Sequence, residues 1–254
     1  MKVISYNVNG IRAAERKGLS QWLQASGADV VCLQEIKALE NQIETSLYRD
    51  IGFEHQYYFP AEKKGYSGVA VLSKQLPKKV EFGTGISFMD VEGRNLRVDF
   101  EDFSLMSLYL PSGTNDARLS LKFEYMEAFL AYTENLLKTH PKLIVSGDYN
   151  ICHKAIDIHD PVRLKTVSGF LPEERAWLSA FVQAGFVDSF RQFNENPHQY
   201  SWWSYRAGAR QNNKGWRIDY HMVSEALKPK LKAAQIHPEA HHSDHCPVSI
   251  DLSV

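Results

Sequence analysis

The chain has 254 residues, of which 44% are hydrophobic and 23% are charged, and its formal net charge at pH 7 is −1. These values are typical of a globular enzyme and exclude a protein that is basic overall, so any contact with nucleic acid must come from a local patch. No apolar run approaches the roughly 18 residues that a membrane span requires. The three cysteines lack the spacing of a metal site, which favours a reducing cytoplasm.

The first third of the chain alternates strand and helix patterns. Residues 3–8 predict a strand, and a helix should follow to about Ser26 and stop at Gly27. Residues 30–33 predict the next strand, which ends at the polar stretch around Glu35. Strand, helix and strand in this order, with polar residues at both strand ends, are typical of an α/β sandwich.

The middle of the chain continues with strands and one long helix. A glycine-containing loop at 63–68 precedes a strand at 69–73, and strands at 96–100 and 104–110 flank a tight turn that predicts a hairpin. Residues 119–138 repeat their apolar positions with a helical period.

The stretch 143–150 organises the prediction of function. Three apolar residues predict a buried strand that ends at Ser146 and Gly147, so Asp148 and Asn150 should lie on a loop at its carboxyl end. In α/β sheets this edge forms the ligand crevice, where a carboxylate and an amide could both face one anionic group. The alternative is an Asx-type turn that only closes the strand.

The remainder predicts a long loop at 151–170, a helix from Pro172 to about Gly185, and a final strand at 248–252. We find no linker and no repeat, so residues 1–254 are predicted to form one domain.

Polar residues cluster at the predicted strand ends. They are Asn7, Glu35, Tyr109, Asp148, Asn150, Asp219, Asp244 and His245. Because carboxylates predominate, this set suits a hard cation such as Mg²⁺ or Mn²⁺ better than zinc. Glu35 is the strongest ligand candidate, with Asp244 or Asp148 completing the site, although a solvated strand-end acid is the commoner situation for a lone glutamate.

The tripeptide Ser243-Asp244-His245 lies at the mouth of the last strand. A carboxylate beside an imidazole favours the imidazolium, which can bind a phosphate oxygen. Adjacent Asp244 and more distant Asp219 are both candidates for the partner of His245. The sequence favours Asp244, but adjacency in the chain makes such a hydrogen bond awkward.

A basic aromatic segment follows residue 200. Between Trp202 and Arg217 the chain has four cationic residues and no Asp or Glu, a local charge of +4. Cations bind phosphates, and aromatic side chains can line a pocket for an extruded nucleotide. The alternative is a solvated loop whose tryptophans complete the core. Charge and aromatic density together favour nucleic acid.

With these features the chain resembles the exonuclease III family of apurinic/apyrimidinic (AP) endonucleases, within the endonuclease/exonuclease/phosphatase superfamily. The resemblance spans essentially the whole chain and rests on the stretches 4–10, 33–37, 65–69, 109–111, 147–150, 169–175, 215–220 and 243–245. Gly147-Asp148-Tyr149-Asn150 and Ser243-Asp244-His245 are shared by the superfamily, whereas 169–175 and 215–220 are specific to the repair nucleases.

The resemblance implies a four-layer α/β sandwich, with two mixed β-sheets packed face to face and helices outside. It implies a magnesium site at Glu35, with Asn7, Asn9, Asp148, Asn150 or Asp244 as further ligands and Mn²⁺ as a substitute. It implies catalytic roles for Tyr109, Asp148, Asn150, Asp219 and His245. Asp148 would be the base, although Tyr109 and a metal-bound water are alternatives. It further implies an abasic-sugar pocket at Trp202, Trp216 and Ile218, and duplex contacts from Tyr66, Arg206 and Arg210.

The implied function is a DNA repair nuclease that cuts the phosphodiester 5′ to an abasic site in duplex DNA and leaves a 3′-hydroxyl. Exonuclease activity in the 3′–5′ direction and activity on blocked 3′ ends would accompany it, in a monomeric protein with a nucleoid-associated pool. The first third is also similar to catabolite repression control proteins, which are non-catalytic regulators. A nucleic-acid-binding regulator is therefore the alternative, and a phosphatase or phospholipase of the superfamily is a third. The complete acidic set and the basic aromatic segment favour the nuclease.

Overall fold

The computed structural model describes residues 1–254 and contains two six-stranded mixed β-sheets. The strands are β1 (Lys2–Asn7), β2 (Val30–Gln34), β3 (His55–Phe59), β4 (Val69–Ser73), β5 (Lys79–Phe82), β6 (Asn95–Asp99), β7 (Ser104–Tyr109), β8 (Leu143–Asp148), β9 (Phe186–Asp188), β10 (Asp219–Ser224), β11 (Leu231–Ile236) and β12 (Val248–Leu252). The α-helices are α1 (Ile11–Glu15), α2 (Leu19–Ser26), α3 (Thr45–Asp50), α4 (Ser87–Asp90), α5 (Asp116–Thr139) and α6 (Pro172–Gln183). None of these helices is both long and apolar enough to cross a lipid bilayer.

The strand order is β11-β12-β1-β2-β4-β3 in the first sheet and β5-β6-β7-β8-β10-β9 in the second. Parallel pairs, β1 with β2 and β7 with β8, occupy the middle of each sheet, and the other pairings are antiparallel. Parallel strands end at the same edge of a sheet. The carboxyl ends of β1 and β2 therefore lie side by side in the first sheet, and those of β7 and β8 lie side by side in the second.

Three buried hydrophobic clusters lie between four layers, which are helices, sheet, sheet and helices. Between the sheets, Val30 and Val71 pack with Leu105 and Ile144. The outer face of the first sheet packs against α1 to α3, and that of the second sheet packs against α5 and α6. This arrangement follows from strand alternation, because successive side chains of one strand point to opposite faces and both faces are covered. The predicted four-layer α/β sandwich is confirmed.

The amino-terminal helix differs from its prediction. A single helix was expected up to Ser26, but the structure has two helices separated at Gly18. Gly18 adopts a left-handed conformation with φ of 91°, which no continuous right-handed helix can include. The predicted stop at Gly27 is confirmed, and its φ is 68°.

Strand β8 runs further than the sequence indicated. Gly147 was expected to end the strand, but Gly147 and Asp148 both belong to it and pair with Leu108 and Tyr109 of β7. A Cβ atom on Gly147 would lie 1.8 Å from the carbonyl oxygen of Leu108. Glycine is therefore required by the close approach of the two strands, and Asp148 is carried on a rigid strand end.

Candidate active site

A cavity of about 460 Å³ opens at the edge where β2, β7 and β8 end. The residues predicted from sequence that line it are Glu35, Tyr109, Asp148, Asn150, Trp202, Trp216, Ile218, Asp244 and His245. Two further predicted residues, Asn7 and Asp219, contact this group from behind through hydrogen bonds. Residues from position 7 to position 245 thus converge on one cavity between the two sheets.

Asn7 links the carboxylates of the two sheets. Its Nδ2 donates to Glu35 Oε1 over 2.9 Å and to Asp148 Oδ2 over 2.8 Å. The backbone N–H of Asn9 donates to Asn7 Oδ1 over 3.0 Å, which fixes the orientation of the amide. A neutral amide therefore holds two negative groups close together without neutralising either one.

Asp148 is 1% exposed and sits at the end of β8. Its Oδ1 accepts the backbone N–H of Asn150 over 2.8 Å. Burial raises the pKa of Asp148 above its usual range, and the nearby carboxylate of Asp219 raises it further, although His245 acts in the opposite direction. A buried carboxylate with a raised pKa is well suited to accept a proton at neutral pH.

His245 is held by Asp219. Its Nδ1 lies 2.9 Å from Asp219 Oδ2, while its Nε2 lies 3.8 Å from Asp148 Oδ2. Of the two partners that the sequence left open, the structure therefore shows Asp219. Burial alone lowers the pKa of His245, but the carboxylates of Asp219 and Asp148 outweigh it, so the net direction is upward. The imidazolium form is favoured.

Ser201, which the sequence reasoning missed, orients Asp219. Its Oγ donates to Asp219 Oδ2 over 2.6 Å and accepts the backbone N–H groups of Ile218 and Asp219, each over 3.1 Å.

Tyr109 ends β7 and packs under Arg94. The guanidinium carbon lies 4.5 Å from the Tyr109 ring centroid, and Nη1 donates to the Tyr109 carbonyl over 2.8 Å. Burial, with the nearby Glu35 carboxylate, raises the pKa of Tyr109 well above its usual range. The phenol therefore stays protonated and can donate a hydrogen bond.

Asp244 lies at the cavity but has both oxygens engaged. Oδ1 accepts from Asn9 Nδ2 over 2.9 Å, and Oδ2 accepts from Trp202 Nε1 over 3.0 Å. Asp244 therefore ties Trp202 to the amino-terminal loop.

The residues around Glu35 fit a metal ion. Ligand atoms of Glu35, Asp148 and His245 all lie within 4.8 Å of one another. The ammonium of Lys37 lies 2.7 Å from Glu35 Oε2, so the site already attracts a positive charge. Burial raises the pKa of Glu35, but Lys37 and the amide of Asn7 lower it by more, which keeps the carboxylate ionised. Oxygen donors of this kind favour a hard cation.

An apolar wall adjoins the acidic cluster. The rings of Trp202 and Trp216 meet edge to face, with centroids 6.1 Å apart, and Ile218 is 6% exposed beside them. Gly169 closes this wall, because a Cβ at that position would lie 2.9 Å from the Trp216 ring. An acidic centre and a compact aromatic pocket thus share one cavity.

The three residues predicted to contact the duplex lie outside the cavity lining. The Tyr66 hydroxyl lies 3.3 Å from Arg94 Nη2, and the Arg206 side chain is exposed. Arg210 instead donates to backbone carbonyls of its own chain.

Lys122 is a second residue that the sequence reasoning missed. Its ammonium lines the cavity, donates to the carbonyl of Asn150 over 2.8 Å and pairs with Glu174, both side chains being fully buried. The burial of Lys122, though not its partners, could have been predicted, because it lies three positions after Leu119 within the apolar stripe of the helix.

Comparison with known proteins agrees with this geometry. The sequence pattern of the endonuclease/exonuclease/phosphatase family matches residues 4–245. The chain is 42% identical to the exodeoxyribonuclease of Bacillus subtilis, with full coverage of both proteins. It is 37% identical to the DNA repair nuclease APEX1 of Danio rerio, covering all of this chain and 83% of that protein.

Two solved structures share the fold over their full length. An AP endonuclease from Archaeoglobus fulgidus superposes with a TM-score of 0.91 at 26% identity. A 3′ phosphatase from Neisseria bound to a product DNA hairpin gives the same TM-score and identity, and both chains are covered completely. The chain therefore belongs to the endonuclease/exonuclease/phosphatase family and, within it, to the branch of exodeoxyribonucleases and AP endonucleases.

Proposed function

We propose that this DNA repair nuclease hydrolyses the phosphodiester 5′ to an abasic site in duplex DNA and leaves a 3′-hydroxyl. The observation that carries the proposal is the shared cavity, in which the Asp148–His245 pair adjoins the aromatic wall of Trp202 and Trp216. The first group can act on a phosphate, and the second can enclose a sugar that has no base.

The reacting groups have two tasks: the carboxylate handles the attacking water, and the hydrogen-bond donors bind the phosphate. Asp148 accepts the proton of the attacking water, and Asn150 steadies that water or the developing charge. The His245 imidazolium and the Tyr109 hydroxyl bind the scissile phosphate and stabilise the charge on its oxygens. Asp219 keeps His245 protonated and correctly oriented through the 2.9 Å contact with Nδ1. In-line displacement at phosphorus needs this positioning and charge stabilisation more than covalent chemistry from the protein.

Glu35 is the principal ligand of the proposed Mg²⁺, which Mn²⁺ can replace. The donor set is rich in oxygen, and Lys37 and Asn7 keep the Glu35 carboxylate ionised, the form that binds a cation. Asp148 and Asn150 would supply further oxygens, whereas Asn7 turns its Nδ2 toward the acids and both oxygens of Asp244 are engaged, so these two would act as ligands only after rearrangement. When bound, the ion supplies positive charge that neutralises the phosphate and its leaving oxygen.

The pocket selects an abasic nucleotide. An abasic nucleotide has no base to unstack, so extruding it from the duplex costs less than extruding an intact one. The wall formed by Trp202, Trp216 and Ile218, closed by Gly169, suits a small apolar sugar face. Tyr66 and Arg206 are the proposed contacts to the flanking duplex, and the protein acts as a monomer.

The same centre serves 3′–5′ exonuclease activity and the removal of phosphate or phosphodiester blocks from 3′ ends. In each reaction a phosphorus atom is attacked by water and the 3′ oxygen of DNA leaves. A 3′ terminus reaches the centre without extrusion of an internal nucleotide, and the Neisseria relative named above is a 3′ phosphatase.

The alternative, a non-catalytic regulator that binds nucleic acid, does not require the arrangement around Asp148. A buried carboxylate with a raised pKa costs folding free energy, which a binding surface does not need to spend. Its presence beside a paired imidazole supports an active hydrolase.

The test is incision of an end-labelled duplex that contains a single tetrahydrofuran abasic site. Incision immediately 5′ to the analogue, with Mg²⁺ and not with EDTA, is expected, and the intact duplex should remain uncut. Products are mapped by extension with a polymerase, which requires a free 3′-hydroxyl. Tight binding of the abasic duplex without Mg²⁺-dependent incision would support the regulator instead.

A further inference from the structure

We propose that Arg210 is a positioning residue that holds the chain before Asp244 and His245, and that it is not a phosphate contact. This inference rests on the proposed nuclease function for its consequence. Its structural basis is separate, because it depends on where the Arg210 guanidinium finds its partners.

Arg210 uses its N–H groups on one loop of its own chain. Nη1 donates to the carbonyl of Ser243 over 3.1 Å, and Nη2 donates to the carbonyls of Pro238 and Ala240 over 2.8 and 2.6 Å. Nε is buried and has no partner. An arginine has five N–H donors, of which three are used here, and because the unpaired Nε–H is buried, only one Nη1 N–H remains for any further contact.

The flat face of the guanidinium is also occupied. The Arg210 Cζ atom lies 4.6 Å from the ring centroid of Trp203, a stacking distance. That ring is fixed in turn, because Trp203 Nε1 donates to Asn213 Oδ1 over 3.1 Å and Trp203 N donates to the carbonyl of Asp244 over 3.0 Å. Arg210 is thus clamped between an aromatic platform and three carbonyl oxygens.

The clamped loop leads directly into the active site. Ser243, whose carbonyl Arg210 holds, accepts the backbone N–H of His245 at its Oγ over 3.2 Å and donates from that oxygen to Asp244 Oδ1 over 3.1 Å. Movement at Ser243 therefore moves the imidazole and the carboxylate that follow it. Displacement of a reacting group by about 1 Å can reduce a rate about 100-fold.

Arg206 provides the matched comparison within the same segment. Its side chain is exposed, and its hydrogen bonds are made by the backbone, where its N–H donates to Ser204 Oγ and its carbonyl accepts the N–H of Ala209, each over 3.2 Å. Arg206 can therefore give its whole guanidinium to a phosphate, whereas Arg210 cannot. The two arginines carry the same charge and lie four positions apart. Comparing variants of each therefore separates electrostatic attraction of DNA from positioning of the active-site loop.

The experiment compares Arg210→Met, Arg210→Lys and Arg206→Met with the unaltered chain. Affinity for the abasic duplex is measured in EDTA at several salt concentrations, and incision is measured under single-turnover conditions with saturating enzyme. The imidazole resonances of His245 are recorded by ¹H–¹⁵N spectroscopy without DNA. Circular dichroism melts define a temperature at which every variant is folded.

For Arg206→Met we expect the slope of log Kd against log salt to fall by about 0.9, the value for one lost phosphate contact. For Arg210→Met we expect the slope to stay unchanged and the single-turnover rate to fall roughly 30- to 100-fold. Arg210→Lys should not restore the rate, because one ammonium cannot reach three carbonyls and stack on Trp203. The His245 resonances should shift in both Arg210 variants and not in Arg206→Met.

A fall in the salt slope for Arg210→Met, or recovery of the rate in Arg210→Lys, would overturn the proposal, as would His245 resonances that do not move. These outcomes differ from failure of the proposed function. In that case the unaltered chain would not incise, while the salt slopes and the His245 spectra would still test the role of Arg210.

Discussion

His245 Nδ1 lies 2.9 Å from Asp219 Oδ2, although 26 positions separate the two residues in the chain. Antiparallel pairing of β10 with β8 brings this about, because Asp219 stands opposite Asp148 in the sheet. One imidazole is therefore flanked by two carboxylates from neighbouring strands. This geometry is the basis of the positive charge that we assign to the phosphate site.

Replacing Asp219 by asparagine keeps the size of the side chain but removes the carboxylate that stabilises the positive charge of His245. We expect Asp219→Asn to lower the single-turnover incision rate by about 10²- to 10³-fold, the usual cost of losing one charge-stabilising group. Asp102→Asn is the matched control, because Asp102 is exposed in the turn between β6 and β7. Equal rates for the two variants would show that Asp219 does not support His245.

Asp148→Asn should separate activity from stability. The carboxylate is buried and its pKa is raised, so a neutral isostere should fold at least as well. We expect incision to fall by about 10²- to 10⁴-fold, while the melting temperature stays the same or rises by roughly 2–4 °C for each kcal/mol gained. Loss of activity together with a lower melting temperature would instead indicate a structural role.

The pair formed by Lys122 and Glu174 should behave as a unit. Glu174 also accepts the backbone N–H groups of Gly169 and Leu171 over 2.6 and 2.9 Å, so it supports the loop beside Trp216. Lys122→Met leaves a buried charge unpaired and should cost about 3–5 kcal/mol of unfolding free energy.

Adding Glu174→Gln to Lys122→Met should recover part of that loss, because the unpaired charge disappears. Urea unfolding of the two single variants and the double variant gives the coupling energy directly. Simple addition of the two single effects would show that the pair is not coupled.

The stability of the fold should depend on pH through His221, which is 3% exposed. Its Nε2 lies 3.0 Å from the carbonyl of Val248, and burial lowers its pKa from 6.5 to about 4. The unfolded chain therefore binds more protons than the folded chain between these values, so the stabilisation is complete above pH 6.5 and declines as the pH falls.

Linkage gives a loss of roughly 2 kcal/mol from His221 between pH 7.5 and pH 5. Urea unfolding at both values, with the unaltered chain and with His221→Gln, measures this loss. The variant should lose less stability over the interval by about that amount. The same loss in both proteins would assign the pH dependence to other groups.

The sequence predicted the layers and the site better than it predicted individual strands. The hairpin of β6 and β7 and the strand β12 were confirmed because their apolar runs are bounded by clear turns. No strand was predicted at β3, β5, β9, β10 or β11. Strand β3 has mostly half-buried polar and aromatic residues, and β5 and β11 are edge strands with exposed positions, so their hydrophobic patterns are weak.

The candidate site could be predicted because Asp148 and Glu35 stand at, or directly after, the carboxyl ends of strands, where the fold collects side chains. The hydrogen bonds that hold those acids could not be predicted. Ser201 and Lys122 act through contacts with residues 18 and 28 positions away, and no local pattern encodes such distances. Arg210 is a case in which a local pattern misleads. Its charge indicates a phosphate contact, but three backbone carbonyls and the Trp203 ring already occupy its guanidinium.

Incision of a duplex with one abasic site, at saturating enzyme and with Mg²⁺, tests the central claim most directly. The claim is that the cavity between the sheets forms one hydrolytic centre in which Asp148 accepts the proton. We predict a single product cut 5′ to the abasic site by the unaltered chain, and almost none with EDTA or with Asp148→Asn. Incision by Asp148→Asn at the rate of the unaltered chain, or its absence from both, would contradict the account.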